Sequence, residues 1–389
     1  MTQFFIPTRI VEGQGAFGEL PRLMGPGPVV LVTDRGLADS QLVAQALELL
    51  KAAGRTLALY SDIEPNPDEP MVDKLTAALR EQRSALKEGT LNVVALGGGS
   101  AIDTAKAAVC MAVNPGPLSD YQWEGRIFEH LPLPLVAVPT TAGTGSEVTG
   151  VTVIASRNAK KGIKQDAVFP KVALIDPLLT LSLPPGLTAS TGMDALTHAI
   201  EAYVGKNRNP LVRSLAATAA ALVAGNILRA YRDGSDREAR AALAHGSLLA
   251  GLAMDQGGLG IVHSLSSALC GILHVAHGEG NALLLPYGMR YNLPYAQADL
   301  AALASLFGLE TRDLSQEAAA LRAISFVEEL QTQLGMKAQI EGIRAKLGAQ
   351  GDLSLFGSVS AGMFLMKNNP HPADADECVK IFKEIRDRS

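Results

Sequence analysis

The 389-residue sequence has few cysteines, few charged residues and no basic patch. Its three cysteines, Cys110, Cys270 and Cys378, lie far apart and without C-x-x-C spacing. This excludes a disulfide framework and a cysteine-based structural zinc site. Charged residues amount to 19%, and the formal net charge is -5. We therefore expect neither a nucleic-acid partner nor an anionic membrane as a binding surface.

Long apolar runs are also missing, since no segment reaches the roughly 20 apolar residues that a membrane-spanning helix needs. The first residues, MTQFFIPTRIVEGQG, do not place a basic segment before a long apolar run, as a secretory signal does. The low cysteine content fits a reducing compartment, so we expect a cytoplasmic protein. Hydrophobic residues amount to 47%, which can supply the cores of two domains.

The first half of the chain alternates short β-branched runs with helical stretches, which predicts a layered α/β domain with a largely parallel sheet. Strands are expected at residues 28–33 (PVVLVT) and in the runs TLALYSDI, LNVVAL, LPLVAVP and KVALIDP. From residue 187 onward, Ala/Leu-rich helical patterns dominate and no convincing strand is found. We place the boundary near residue 182, with an α/β domain at 1–181 and an all-α domain at 182–389.

A glycine cluster is the first chemical signal, because Gly97, Gly98, Gly99 and Ser100 lie between the strand LNVVAL and the helix AIDTAKAAVCMA. Glycine lets the backbone approach a ligand closely, and the free amides at a helix N-terminus attract an anion. We expect a diphosphate, although the spacing differs from the G-x-G-x-x-G fingerprint of dinucleotide-binding folds. The alternative is an ordinary tight turn with an N-capping box made by Ser100 and Asp103.

Polar residues that follow two other strands can contribute to the same ligand site. Asp34 follows strand 28–33, where a carboxylate can accept hydrogen bonds from an adenosine ribose and repel a 2′-phosphate. NAD is therefore favoured over NADP. The Gly-rich loop after LPLVAVP offers three small hydroxyl donors, Thr140, Thr141 and Thr144, or is simply a threonine-rich turn. The lysines at 160–164 follow in a polar loop that is typical of a solvated face, although one of them could reach a cofactor.

The segment GMDALTHAIEAY, residues 192–203, contains neither glycine nor proline after its first residue and is predicted to form a helix. Residues four apart share a helix face, so Asp194 and His198 project to the same side. A carboxylate and an imidazole one turn apart can chelate a divalent metal if further ligands come from elsewhere. Taken alone, such a pair is more typical of a solvated helix face.

Three of the seven histidines, His263, His274 and His277, lie close together downstream and can supply those ligands. In one unbroken helix, His263 and His277 would lie about 21 Å apart, too far to share an ion. The helix must therefore break, which Gly271 and the run at 278–280 permit. His274 and His277 compete for the last ligand position, and the glycine beside His277 favours it by allowing close approach.

Four segments resemble the iron-containing (group III) alcohol dehydrogenases, in that family's order and spacing: GGGSAIDTAKA, PTTAGTGSEVT, GMDALTHAIEAYV and HVAHGEGNALLLPYGMRYN. The resemblance implies a Rossmann-like N-terminal domain that binds NAD(P) and an all-α C-terminal domain, with a metal in the cleft between them. This is the architecture of dehydroquinate synthase. The implied metal ligands are Asp194, His198, His263 and His277. The implied cofactor-binding residues are Asp34, Asn66, Gly97, Gly98, Gly99, Ser100, Asp103, Thr140, Thr141, Thr144 and Lys160.

The implied reaction is reversible hydride transfer between a small primary alcohol or diol and NAD, giving an aldehyde. Fe2+, or else Zn2+ or another divalent metal, would act as a Lewis acid that lowers the pKa of the alcohol. Neutral histidines and one ionised aspartate would leave a metal site with a net charge of about +1. Family members are commonly dimers or larger, so we expect a homo-oligomer.

One position departs from the family pattern. Many members have a second histidine four residues after the first downstream ligand, beside the nicotinamide and in the proton relay, and this sequence has Ser267 there. This leaves open a relay through water, ribose hydroxyls or His274, and Ser267 and His274 are the candidate catalytic residues. Two rival functions remain: a lyase of the dehydroquinate-synthase type, which needs Lys and Arg near the metal, and a cofactor-binding sensor with an inactive site.

Overall fold

The computed structural model describes residues 3–86, 88–156 and 159–388, and the side chains of residues 159 and 160 lie outside that description. The chain divides into two compact units. The N-terminal unit runs from Phe5 to Ser182, and the C-terminal unit comprises the chain from Leu183 onward together with the residues before Phe5. An α/β unit is followed by a helical unit, so the predicted fold class is confirmed.

The N-terminal unit consists of short strands and the helices that connect them. Its strands are β1 (Arg9–Glu12), β2 (Val29–Val32), β3 (Leu57–Tyr60), β4 (Asn92–Gly97), β5 (Leu135–Pro139), β6 (Val151–Ser156), β7 (Ala159–Lys164) and β8 (Val172–Ile175). Its α-helices are α1 (Gln41–Ala52), α2 (Glu69–Ser84), α3 (Gly99–Met111) and α4 (Leu118–Trp123). Short 3-10 helices lie at Ala16–Leu23, Ser146–Val148, Asp166–Val168 and Pro177–Thr180.

Six of the described strands form one parallel sheet in the order β1-β8-β5-β4-β2-β3. The inner strands β2, β4, β5 and β8 are buried at every residue, as expected when helices cover both faces of a parallel sheet. The order reverses at β2, because β3 pairs with one of its edges and β4 with the other. Such a switch point opens a crevice at the carboxyl ends of the adjacent strands β2 and β4.

Helices pack on both faces of this sheet. On one face, α1 and the 3-10 helix Ala16–Leu23 bury Leu20, Val43 and Leu50 against the strands. On the other, α2 and α3 bury a second apolar cluster that includes Val72 and Ile102. The predicted Rossmann-like layering is therefore present.

Two strands differ from the sequence analysis. β1 was not predicted, because its residues RIVE are mostly exposed at the edge of the sheet and contain no buried apolar run. The polar loop expected at 160–164 is wrong, since β7 occupies this stretch and pairs antiparallel with β6. The pairing places Ile163 opposite Thr152. Three lysines hide this strand from an analysis based on hydrophobicity.

The C-terminal unit is helical, and its described residues contain no strand. Its α-helices are α5 (Pro185–Val204), α6 (Pro210–Arg232), α7 (Arg237–Gly257), α8 (Ile261–Leu273), α9 (His277–Leu306), α10 (Gln316–Gln333), α11 (Lys337–Gly348), α12 (Ser354–Gly362) and α13 (Ala375–Asp387). A 3-10 helix lies at Phe364–Asn368.

Helix α5 forms the centre of this unit, where it packs against α6, α7 and α9. Every residue from Gly192 to Val204 is buried. Gly192 permits the close contact with α6, because a Cβ atom there would lie 2.5 Å from Cδ1 of Ile227. A helix that is buried on all sides must give each of its polar side chains a partner.

Among the described residues, α6 is the only individual helix that is long and apolar enough to cross a membrane, judged by length and composition alone. Helices α7 and α8 pass the same test together, but they are bent by 100° at their break. α6 packs along α5 and α7, and its residues Arg213 and Arg229 form ion pairs with Asp299 and Asp236. It is a packed helix of the C-terminal unit.

Candidate active site

Four side chains of the C-terminal unit converge on one point, and we name Asp194, His198, His263 and His277 the metal cluster. Asp194 and His198 lie one turn apart on α5, as their spacing predicts. His263 is the third residue of α8, and His277 is the first residue of α9. The predicted break between these histidines is confirmed, because α8 ends at Leu273 and α9 begins at His277. The expected position of the break is wrong, since Gly271 lies inside α8 and residues 278–280 lie inside α9.

A glycine lets α9 begin against α5. A Cβ atom on Gly278 would lie 2.4 Å from the carbonyl oxygen of Ser190, so only glycine permits this approach of the two backbones. The contact carries His277 to the face of α5 that presents Asp194. The glycine beside His277 thus allows a close approach of two helix backbones, whereas the sequence analysis expected a close approach to the metal.

The donor atoms of the metal cluster have the separations that a divalent ion requires. Nε2 of each of the three histidines lies 3.7 Å from Oδ1 of Asp194, and all four donor atoms lie within 4.8 Å of one another. A tetrahedral ion with bonds of about 2.1 Å has ligand atoms about 3.4 Å apart. One carboxylate and three imidazoles suit Fe2+ or Zn2+. The cluster therefore fits the expected metal.

The cluster is buried on one side and open on the other. The side chain of Asp194 is 3% exposed, whereas that of His277 is 39% exposed. Burial favours the neutral form of Asp194, but the three histidines outweigh it and hold the pKa of this carboxyl well below its usual range. Burial also opposes charge on His263, but Asp194 and Glu201 raise the pKa of this imidazole to about 9. A metal must displace that proton.

Glu201 supports the cluster, and the sequence analysis missed it. Its Oε2 lies 2.6 Å from Nδ1 of His263, and its Oε1 accepts a hydrogen bond of 2.7 Å from the backbone N–H of Val262. Glu201 lies on α5, three residues after His198, but no ligand spacing marks it. The expected net charge of about +1 leaves out Glu201. With this second buried carboxylate, a site that holds a divalent ion has a net charge of about zero.

Asn281 is a second missed residue, one turn after His277 on α9. Its Nδ2 lies 2.6 Å from Oδ1 of Asp194, 3.0 Å from Nε2 of His263 and 3.1 Å from Nε2 of His277. Its buried Oδ1 has no hydrogen-bond partner within the described part of the chain. The amide has only two hydrogens for these three acceptors, so at least one acceptor lone pair is left without a hydrogen. A cluster with more lone pairs than hydrogens is suited to a cation.

The two residues assigned to the proton relay lie on α8 and at its end. The hydroxyl of Ser267 donates a hydrogen bond of 2.8 Å to the carbonyl oxygen of His263, one turn earlier. His274 ends α8 in the left-handed conformation, with φ of 52°, and is exposed. Its side chain is outside the metal cluster.

In the N-terminal unit, the residues Asp34, Gly97, Gly98, Gly99, Thr141 and Thr144 meet at the switch point of the sheet, and we name them the glycine cradle. A Cβ atom on Gly97 would lie 3.1 Å from Oδ2 of Asp34, and one on Gly99 would lie 2.7 Å from Cγ2 of Thr144. Gly98 faces Thr141 in the same way at 3.5 Å. Glycine at these positions therefore lets the side chains of Asp34, Thr141 and Thr144 lie directly against the backbone at the start of α3.

The capping-box alternative for the glycine cluster is wrong. Within the described residues, the N-terminus of α3 has Gly98 as its N-cap and receives no side-chain cap. Asp103 instead accepts hydrogen bonds from the hydroxyl of Ser146 and from the backbone N–H of Val153, the latter at 3.2 Å. The amides at the start of α3 are thus left for an anion.

Lys106 was also missed, and it holds the loop that carries Thr144. It is fully buried on α3, and its Nζ donates to the carbonyl oxygens of Ser146 at 2.7 Å and Val151 at 2.6 Å. Together with Asp103, it ties the threonine loop to α3. The motif GGGSAIDTAKA therefore carries structural polar residues as well as the glycines.

The remaining predicted cofactor residues differ in their positions within the N-terminal unit. The backbone N–H of Thr140 donates to the carbonyl oxygen of Gly97 at 3.0 Å, and Ser100 is in the first turn of α3. Asn66 is exposed in the loop after β3, with φ of 60°. The side chain of Lys160 lies outside the described residues.

Comparisons with known proteins agree with this arrangement. The sequence profile for "Iron-containing alcohol dehydrogenase" matches residues 7–177, and that for "Fe-containing alcohol dehydrogenase family, C-terminal" matches residues 188–386. The NAD-dependent methanol dehydrogenase of Bacillus methanolicus is 34% identical, over 98% of this chain and 99% of that protein. Long-chain-alcohol dehydrogenase 1 of Geobacillus thermodenitrificans is 37% identical, over 85% of this chain and 83% of that protein. A crystal structure of 1,3-propanediol oxidoreductase has a TM-score of 0.91 and 34% identity, covering 99% of this chain and 100% of that one.

The fold and the two sites define a dehydrogenase with a parallel α/β unit and a helical unit that carries a divalent-metal cluster. The chain belongs to the iron-containing alcohol dehydrogenase family. It is an alcohol oxidoreductase that uses NAD and iron. The family assignment supports the dehydrogenase over the lyase and the inactive sensor.

Proposed function

We propose that this enzyme interconverts small primary alcohols or diols and their aldehydes, with residues 1–181 as the NAD-binding domain and residues 182–389 as the metal-binding domain. The observation that carries the proposal is the metal cluster, in which four donor atoms lie within 4.8 Å of one another. Its members are the ligands in this proposal. The similar proteins named above act, by their names, on methanol, long-chain alcohols and 1,3-propanediol.

When bound, the metal supplies a Lewis acid and NAD+ supplies a hydride acceptor. The protein's own residues hold and orient these groups. Asp194, His198 and His263 are buried and keep water from one side of the cluster, while the exposed side at His277 admits the substrate. On the N-terminal unit, the glycine cradle and the amides of α3 bind the diphosphate, and Asp34 binds the adenosine ribose.

The remaining predicted cofactor residues take supporting roles in this proposal. The hydroxyls of Ser100, Thr140, Thr141 and Thr144 are donors to the cofactor. Asn66 lies in the loop after β3 and Lys160 lies in β7, and Asp103 orders the threonine loop through Ser146 and Val153. NAD is preferred over NADP because a carboxylate at Asp34 repels a 2′-phosphate.

The proton route differs from that of family members with a second downstream histidine. We propose that the alcohol proton leaves past Ser267, through water or ribose hydroxyls, and reaches solvent at His274. The hydroxyl of Ser267 already donates to the carbonyl oxygen of His263, so it has lone pairs but no spare proton for the relay. The exposed imidazole of His274 accepts the proton. His274→Ala should slow alcohol oxidation without changing the metal content.

The setting of the enzyme follows from composition and family. We propose a cytoplasmic enzyme, because the chain has few cysteines and they lie far apart in the sequence. We also propose a homodimer or larger homo-oligomer, as is common in the family, which sedimentation of the purified protein will test.

The direct test is NADH formation by metal-stripped protein that is reloaded separately with Fe2+ and Zn2+. Methanol, ethanol, butanol, 1,2-propanediol, 1,3-propanediol and glycerol are the substrates, and His198→Ala is the matched control that keeps the cradle intact. We expect metal to restore activity with short alcohols or diols, and NAD to exceed NADP. Binding of NAD and metal without turnover of any alcohol or aldehyde would contradict the proposal.

A further inference from the structure

The two carboxylate oxygens of Glu201 serve two different groups. Oε2 lies 2.6 Å from Nδ1 of His263, and Oε1 accepts a 2.7 Å hydrogen bond from the N–H of Val262. Glu201 and His263 are 2% and 4% exposed, so water does not compete for either contact. A single side chain on α5 therefore holds both the first turn of α8 and the imidazole that this turn carries.

Helix α8 depends on such outside acceptors. Its N-cap is Gly260, and within the described residues no side chain at that position caps it. The N–H of Ile261 donates to Oδ1 of Asn369 at 3.1 Å, and that of Val262 donates to Glu201. A Cβ atom at Gly260 would lie 2.6 Å from Oδ1 of Asn369, so glycine makes room for these acceptors. Two buried residues thus replace the usual cap.

The contact also decides which nitrogen of His263 can bind a metal. An imidazole that donates Nδ1–H to a carboxylate keeps a lone pair on Nε2, and Nε2 is the atom that faces Asp194. We infer that Glu201 is a positioning residue that fixes His263 in the Nδ1–H tautomer and begins α8 two residues before this ligand. The inference rests on the proposed role of His263 as a metal ligand.

Glu201→Gln separates this role from simple packing. Glutamine has the same shape but only one acceptor oxygen, whereas Val262 N–H and His263 Nδ1–H both require an acceptor. If its oxygen accepts from Val262, its NH2 group faces Nδ1 and forces the proton onto Nε2, which cannot then bind a metal. If the amide is reversed, its NH2 group faces the backbone N–H of Val262, and neither group has an acceptor there.

The experiment measures Zn2+ and Co2+ affinity by competition with a chelator, together with urea unfolding. We expect Glu201→Gln to lower the affinity by about 10- to 100-fold, and Glu201→Asp, which keeps two oxygens, to lie in between. The matched control is Asn369→Ala, which removes the other acceptor at α8 without contact to His263. It should lower stability and leave metal affinity unchanged. Equal affinity for Glu201→Gln and the parent overturns the inference, as does an equal loss in Asn369→Ala.

A measurement on the parent protein covers the case in which Glu201→Gln does not fold. In Zn2+-loaded protein labelled with 15N-histidine, the His263 signals are identified by comparison with His263→Ala. We expect the proton on Nδ1, and a proton on Nε2 would overturn the inference. The His263→Ala variant also separates the two claims. If it retains metal, the assignment of His263 as a ligand fails. If His263→Ala loses metal but Glu201→Gln retains it, only the role of Glu201 is refuted.

Discussion

The glycine cradle and the metal cluster are built by different means. The cradle follows β2, β4 and β5, whose parallel register sets its positions, and it relies on backbone and short side chains. The metal cluster draws long side chains from α5, α8 and α9. These need Glu201, Asn281 and Gly278 to hold their geometry. A backbone site is therefore specified by the fold, whereas a side-chain site also needs support from its surroundings.

The largest effect should come from removing a proposed ligand, which breaks one site and spares the other. We expect His198→Ala or His263→Ala to abolish metal retention and to lower alcohol oxidation by about 1,000-fold or more, equivalent to about 4 kcal/mol. NAD binding should persist. Metal content and steady-state NADH formation are measured together, with the exposed His130→Ala as the control. Full turnover by either ligand variant would refute the assignment.

The metal cluster should also make the metal-free protein sensitive to pH. The pKa of His263 rises from 6.5 to about 9 on folding. The stabilisation that this imidazole gives the folded protein is therefore fully present below pH 6.5 and is lost as pH rises through about 9. Such a shift corresponds to about 3 kcal/mol of unfolding free energy. Urea unfolding of metal-free protein at pH 6 and pH 10 measures this loss. The variant His263→Gln should lack it, and an identical pH dependence in that variant would contradict the prediction.

Gly278→Ala tests whether helix packing positions a ligand. The new Cβ would lie 2.4 Å from a backbone oxygen of α5, so α9 must shift and carry His277 with it. We expect metal affinity to fall by about 100-fold, or 2.7 kcal/mol. Gly271→Ala is the matched control, because a Cβ there would meet nothing within 4 Å. Chelator competition measures both, and equal affinities would show that α9 adjusts without cost.

The smallest effect is expected in the glycine cradle, where we propose that the charge of Asp34 sets the preference for NAD over NADP. Asp34→Asn keeps an oxygen for the N–H of Leu37, which donates to Oδ1 at 3.1 Å, but removes the negative charge. We expect the preference for NAD over NADP, as a ratio of kcat/KM, to fall by about tenfold. Asp39→Asn, an exposed charge change nearby, should leave the ratio unchanged. A parallel fall in both variants would point to general electrostatics.

Local patterns predicted much of both sites. The spacing of Asp194 and His198, the break between His263 and His277, and the glycines after β4 are all short-range features. The pair on α5 follows from helix periodicity, whereas the break falls at residues 274–276 and not at the glycines expected to cause it. The inner strands were predicted because each is a continuous apolar run.

The supporting residues could not be predicted in this way. Glu201 and His263 are 62 positions apart, and Asn281 and Asp194 are 87 positions apart. Their roles exist only once helices pack, and no spacing rule connects them. β1 and β7 were missed because polar residues mask strands whose stability comes from pairing. The capping box at Ser100 and Asp103, which was the alternative interpretation, does not form, because Asp103 accepts a hydrogen bond from Ser146 instead.

The pairing of β1 with β8 has a consequence for synthesis of the chain on the ribosome. Thr8 donates to the carbonyl oxygen of Pro170, a contact that spans 162 residues, and β8 is the strand with which β1 pairs. At translation rates of about 5 to 20 residues per second, roughly 8 to 30 s pass before that partner is made. β2, β3 and β4 can pair long before then. β1 is thus made before the other five strands of the sheet, yet it can pair only after β8, the last of them, has been made.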